Sequence, residues 1–131
     1  MLRGDRDAVG GPLESELADL ARRFGQDMKR GVAELARLGY DATLFQRMLG
    51  EYGPVEAVRR LVLDPKPSYG LWRLQELKRL DASAEMWVLL PWYESLFARE
   101  VRDQAEQKLR LLGVDVDAEL DRLIRRLSST T

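Results

Sequence analysis

From Leu13 onward the apolar positions of the chain recur at steps of three, four and seven. Leu13, Leu17, Leu20, Phe24, Met28, Leu35 and Leu38 share one face of a 3.6-residue helix, while Arg22, Arg23, Lys29, Arg30 and Arg37 fall on the other. The pattern predicts a long amphipathic helix over residues 12–38. Residues 1–11 hold three glycines and no period, and are expected to be flexible. Gly25 and Gly31 interrupt the long helix. Gly31 lies on its apolar face, which predicts close packing of another element there, or a local break.

Turn residues divide the rest. Gly39 suits the left-handed position after a helix, with Tyr40 folding back and Asp41 capping a helix near 42–49. Gly50 and Gly53 bracket a short connection, and Pro54 suits the first turn of a helix near 54–63. Residues 41–63 therefore form a helical pair. "DPKPS" supplies a proline linker at 64–67. Ser68 is placed to cap a helix carrying Leu71, Trp72, Leu74 and Leu77; Asp81 or Ser83 caps the next, which Pro91 ends or kinks. A helix over 98–112 presents Val101, Ala105, Leu109 and Leu112, and Gly113 stops it as Gly39 stops the first. "LGVD" thus repeats the punctuation of "LGYD". A last helix near 116–127 presents Leu120, Leu123, Ile124 and Leu127, and 128–131 should fray.

No stretch alternates apolar and polar residues for long enough to predict a strand. The expected fold is all-α: a compact orthogonal bundle of about six to seven short helices with a longer N-terminal amphipathic helix. It forms a single domain over 12–127, in which 68–127 is a helical unit of its own behind the linker.

Composition narrows the chemistry. The chain has 131 residues, 45% hydrophobic, with a net charge of −1 and neither cysteine nor histidine. No disulfide, thiol nucleophile, imidazole base or His/Cys zinc site is available. Near-neutral charge gives no overall attraction to nucleic acid or anionic membrane. The opening "MLRGDRDAVGGP" lacks an apolar core for a signal peptide, and no apolar run reaches the roughly 20 residues that span a bilayer. A cytoplasmic protein with no membrane association, no cofactor and no metal is expected.

The order of several elements resembles a family of small bacterial helical domains of unassigned role. It runs from "LGYDATLFQRMLGEYGPVEAVRRLV" through "SYGLWRL" and "RLDASAEMWVLLPWYESLF" to "AREVRDQAEQKLRLLGVD", covering about residues 38–115. The shared pattern is Gly-Tyr, a Phe-rich helix, "RLD…E…VL", "P-x-Y-x-x-LF" and a helix ending in Leu-Gly. Ala98 departs from it, standing where Thr or Ser usually caps the long helix. The resemblance implies a helical domain found alone or joined to nuclease-like and DNA-modification proteins. It brings no catalytic residue.

"MWVLLPWYES", residues 86–95, is the most apolar segment. Helical residues 82–90 would be apolar on nearly every side, as a central core helix is. Trp92 and Tyr93 sit at the proline corner, where aromatics can become interface anchors. Glu85 breaks the run. It reads as a first-turn carboxylate facing the helix dipole and pairing with Lys78 or Arg79, and against that as a buried catalytic acid lacking a partner base. "DVDAELD", residues 115–121, lacks the glycine and distant glutamate of a calcium loop, and its acids suit a helix start.

The leading expectation is a non-enzymatic protein-interaction or assembly module, accessory to a bacterial DNA-processing or defence system. Phe24 and Met28 would hold a homodimer, with Trp92 and Tyr93 as the other contact. The alternative is a nucleic-acid-binding accessory protein using Arg59, Arg60, Lys66, Arg73, Lys78 and Arg79 of segment 57–80, beside Tyr69 and Trp72.

Overall fold

A computed structural model describes residues 2–66 and 69–129, with the side chains of residues 2–12 and of Tyr69 outside the description. The fold is all-α, with no strand among the described residues. Its helices are α1 (Leu2–Arg37), α2 (Thr43–Tyr52), α3 (Pro54–Leu63), α4 (Tyr69–Glu76), α5 (Ala84–Val88), α6 (Arg99–Leu111) and α7 (Val116–Ser129). Short 3-10 segments at Leu80–Ala82 and Pro91–Leu96 flank α5. Helix α1 begins at Leu2, ahead of the start expected from the apolar period. A glycine costs a helix about 1 kcal/mol and does not forbid it. Pro67, Ser68 and the last two threonines lie outside the described residues.

The two glycine stops share one geometry. At Gly39 (φ +85°) the glycine N–H donates to the Ala36 carbonyl at 3.1 Å and the Tyr40 N–H to that of Leu35 at 3.0 Å. At Gly113 (φ +81°) the same two bonds join Gly113 to Arg110 at 2.9 Å and Val114 to Leu109 at 3.3 Å. Helix α4 ends in a third left-handed turn without a glycine: Lys78 takes φ 59°, and the Arg79 N–H donates to the Leu74 carbonyl at 2.8 Å. Pro54 does open α3, and Ser83 caps α5 by accepting from the Met86 N–H at 3.1 Å. Asp41 does not cap α2. The residue preceding that helix is Ala42, with no side-chain cap.

One hydrophobic cluster draws on α1, α3 and α4–α7, so the two sides of the proline linker share a core. Met86, Val88 and Leu90 lie at its centre, against α3 on one side and α6 on the other. Helix α1 lies across α3 and the Pro91–Leu96 segment. Phe24 enters the core there, edge-on to Tyr93 at 4.9 Å and to Phe97 at 5.2 Å between ring centroids. Edge-to-face pairs add about 0.5–1.5 kcal/mol each beyond burial. Gly25 makes the approach possible: a Cβ there would stand 2.9 Å from Cγ of Pro54. Close packing thus falls at Gly25 and not at Gly31, which has no atom within 4 Å of where its Cβ would be.

Candidate functional site

That open space is one wall of a cleft. The C-terminal half of α1, together with α2, α4 and α5, encloses about 750 Å³. Met28, Gly31 and Leu35 line it from α1, Phe45 and Met48 from α2, and Leu71 and Leu74 from α4. The volume and the mostly apolar walls are those of a ligand-binding hollow. Helix α2 packs on α3, with Phe45 and Leu49 against the core, but none of its residues is fully buried and Leu44 is 64% exposed.

A chain of ion pairs crosses the rim. Glu34 of α1 meets Arg79 at 2.6 Å, Arg79 reaches Asp81 at 3.1 Å, and Asp81 receives Arg126 of α7 at 2.6 Å. Three separate parts of the chain are tied together in this way. The Asp81 backbone carbonyl also accepts the Trp87 indole N–H at 2.9 Å. Asp27, another lining residue, accepts the Tyr93 hydroxyl and pairs with Arg30 at 3.3 Å. Burial, and then the bond to Asp27, push the Tyr93 phenol well above its ordinary pKa, so it stays a hydrogen-bond donor.

Glu85 is among the residues lining the cleft and is only 2% exposed. Its Oε2 has no hydrogen-bond partner among the described residues. Burial raises its pKa, and its own backbone N–H and the charge of Lys108 only partly oppose this. Lys108 is itself buried and donates from Nζ to the Leu61 carbonyl at 3.1 Å. The expected pairing of Glu85 with Lys78 or Arg79 does not form; Arg79 is held by Glu34 and Asp81. No group of three or more carboxylates is placed to hold a metal ion among the described residues.

The expected interface residues are placed mostly inside the molecule. Phe24 and Tyr93 are fully buried and Met28 nearly so, all in the chain's own core. With α1 docked, Phe24 packs against the aromatic rings of Tyr93 and Phe97, while Met28 lines the cleft. Trp92 alone of the four is half-buried, at the edge of the cluster. Of the apolar segment, Met86, Val88, Leu89 and Leu90 are core, while Trp87 is a partly exposed cleft residue.

The six basic residues of segment 57–80 have different surroundings. Arg59 and Arg60 both pair with Glu56, at 3.2 and 2.8 Å, and Arg60 also stacks 3.9 Å over the Tyr52 ring. Arg73 approaches Glu76 at 3.9 Å, and Arg79 belongs to the cleft rim. Lys66 lines the cleft, and Lys78 lies exposed on the turn after α4. Trp72 is 55% exposed on α4. A second, shallower hollow of about 540 Å³ lies between Leu89–Phe97 and helices α6 and α7, with Glu94 paired to Arg102 at 2.9 Å on its rim.

Sequence reasoning missed Asp27, Lys108 and the α2 wall. The Lys108 signal was present: it lies seven residues after Val101 and so falls on the apolar face of α6. Comparison with protein-family models, with curated proteins and with solved structures gives no match. No helix among the described residues is long and apolar enough to cross a membrane.

Proposed function

We propose that this chain is a non-enzymatic, cytoplasmic interaction module whose cleft beside Gly31 receives a segment of a partner protein. The observation that carries the reading is the cleft itself. It has apolar walls, one bordering helix with no fully buried residue, and a glycine where any side chain would narrow it. Peptide segments bind such grooves by laying apolar anchors into them. Accessory work in a bacterial DNA-processing or defence system remains the setting that the sequence resemblance suggests. The nucleic-acid alternative has less support, since four of its six residues are engaged by nearby carboxylates.

The test is affinity purification of the tagged chain from its host, with and without nuclease, beside a Gly31→Leu variant. Leucine fits a helix and meets no atom near its Cβ, so the fold should survive. A nuclease-resistant protein partner, lost in the variant, is the expected result. Partner capture that nuclease abolishes, or that ignores the variant, would overturn the reading.

A further inference from the structure

Charge and burial together restrict what the cleft can accept. Six carboxylates line it against four cationic side chains. Three of those cations, Arg30, Arg79 and Arg126, are already paired with Asp27, Glu34 and Asp81 of the same lining. Asp41, Asp64 and Glu85 then have no ion pair among the described residues, and Lys66 is the one lining cation left to set against them. Glu85 is the most demanding of these, because it is buried and its Oε2 has no donor among the described residues. The neighbouring Lys108 directs a hydrogen bond to the Leu61 carbonyl and leaves that oxygen without one. A buried carboxylate oxygen without a donor is costly, and a donor arriving on a binding partner removes that cost.

We propose that the cleft selects a partner segment that presents a lysine or arginine from an otherwise apolar face, with Glu85 as the carboxylate that receives the cation. The proposal rests on the reading of the cleft as a protein-interaction site and adds the chemistry of the occupant. The apolar walls from Met28, Leu35, Phe45 and Leu71 suit the methylenes of such a side chain, whose charged tip alone needs a polar partner. The flat surface at Gly31 lets a helix backbone come close. The surplus of carboxylates disfavours an acidic or phosphorylated segment.

The experiment uses three fluorescein-labelled synthetic amphipathic helices of about 15 residues. They differ only at one central position of the apolar face, which is lysine, norleucine or glutamate. Fluorescence polarisation with the full chain should show the lysine helix binding about tenfold more tightly than the norleucine helix, as expected for a hydrogen bond to a charged group. The glutamate helix should bind least. In Glu85→Gln the preference for lysine over norleucine should shrink to about twofold. In Gly31→Leu all three should weaken. Equal binding of the lysine and norleucine helices to the unmodified chain overturns the proposal, and needs no variant to fold. If that equal binding is still lost in Gly31→Leu, the interaction reading stands and only the role of Glu85 fails. No binding by any helix at about 100 µM counts against both.

Discussion

Gly25 and Gly31 lie on the same helix, fewer than two turns apart, and do opposite things. At Gly25 the helix is pressed against Pro54, and Phe24 beside it is sealed under Tyr93 and Phe97. At Gly31 the same helix borders open space, and the opposing wall, α2, has no fully buried residue. Helical periodicity tells which face turns inward, but not whether anything fills the space it faces. That depends on the side chains brought by distant segments: Pro54 and the aromatic corner at one place, and Phe45 and Met48, set back, at the other. One end of α1 holds the fold together, and the other offers a surface.

The sharpest way to break this comparison is to empty the packed end. Phe24→Ala removes a fully buried ring from two edge-to-face contacts and should cost about 3–5 kcal/mol. Urea unfolding of the variant reads it directly, and a loss below about 1 kcal/mol would mean that α1 is not anchored by this residue.

The two glycines then give a pair of opposite signs. Alanine gains about 1 kcal/mol over glycine inside a helix. At Gly31 nothing meets the added methyl, so Gly31→Ala should raise stability by about that amount. At Gly25 the methyl would stand 2.9 Å from a proline ring carbon that cannot swing away. Overpacking of about 1–3 kcal/mol should outweigh the helix gain, so Gly25→Ala should lower stability. Thermal melts of both variants on one buffer would settle the contrast, and equal shifts would remove it.

Glu85 provides a smaller, pH-dependent effect. Burial holds its folded pKa above the ordinary 4.5, so the folded protein keeps this proton after the unfolded chain has lost it. The stability involved is therefore complete below the unfolded value and declines as pH rises through the folded one. Glu85→Gln keeps the shape without the titration. Its stability relative to the parent should be more favourable at pH 7 than at pH 4, as read from unfolding curves at the two pH values. A difference between parent and variant that does not change with pH would mean that Glu85 titrates alike folded and unfolded, as a solvated carboxylate does, and a change of opposite sign would place it beside a cation.

Much of the architecture was legible because it rests on local chemistry. Gly39 and Gly113 stop helices as any left-handed glycine does, Pro54 starts one, and Ser83 caps one. The end of α4 was not legible, since Lys78 takes the left-handed turn without the glycine that announces it. Asp41 carried a capping signal that the chain does not use, Ala42 standing at that position instead. The site was legible only in fragments. Glu85 and Gly31 both broke an apolar pattern and so drew notice, but each carried two readings: the carboxylate as a first-turn charge paired with Lys78 or Arg79 or as a buried acid, and the glycine as a close contact or a local break. Deciding between those readings requires knowing that α2 and α4 flank the second half of α1 at a distance. No local spacing encodes that. Phe24 and Met28 were read as an interface because an amphipathic stripe must be covered, and the sequence does not say whether by its own chain or by another.

The central claim is that the partner-binding surface is the cleft at Gly31 and not another face. Photo-crosslinking from the host answers this most directly, with benzoylphenylalanine placed at Met48 on the cleft wall and, in a separate chain, at Leu111, which is 79% exposed on α6 away from the cleft lining. The account predicts a discrete protein crosslink from position 48 that Gly31→Leu removes, and none from position 111. A crosslink confined to position 111, or one from position 48 that survives the filling of the cleft, would contradict it.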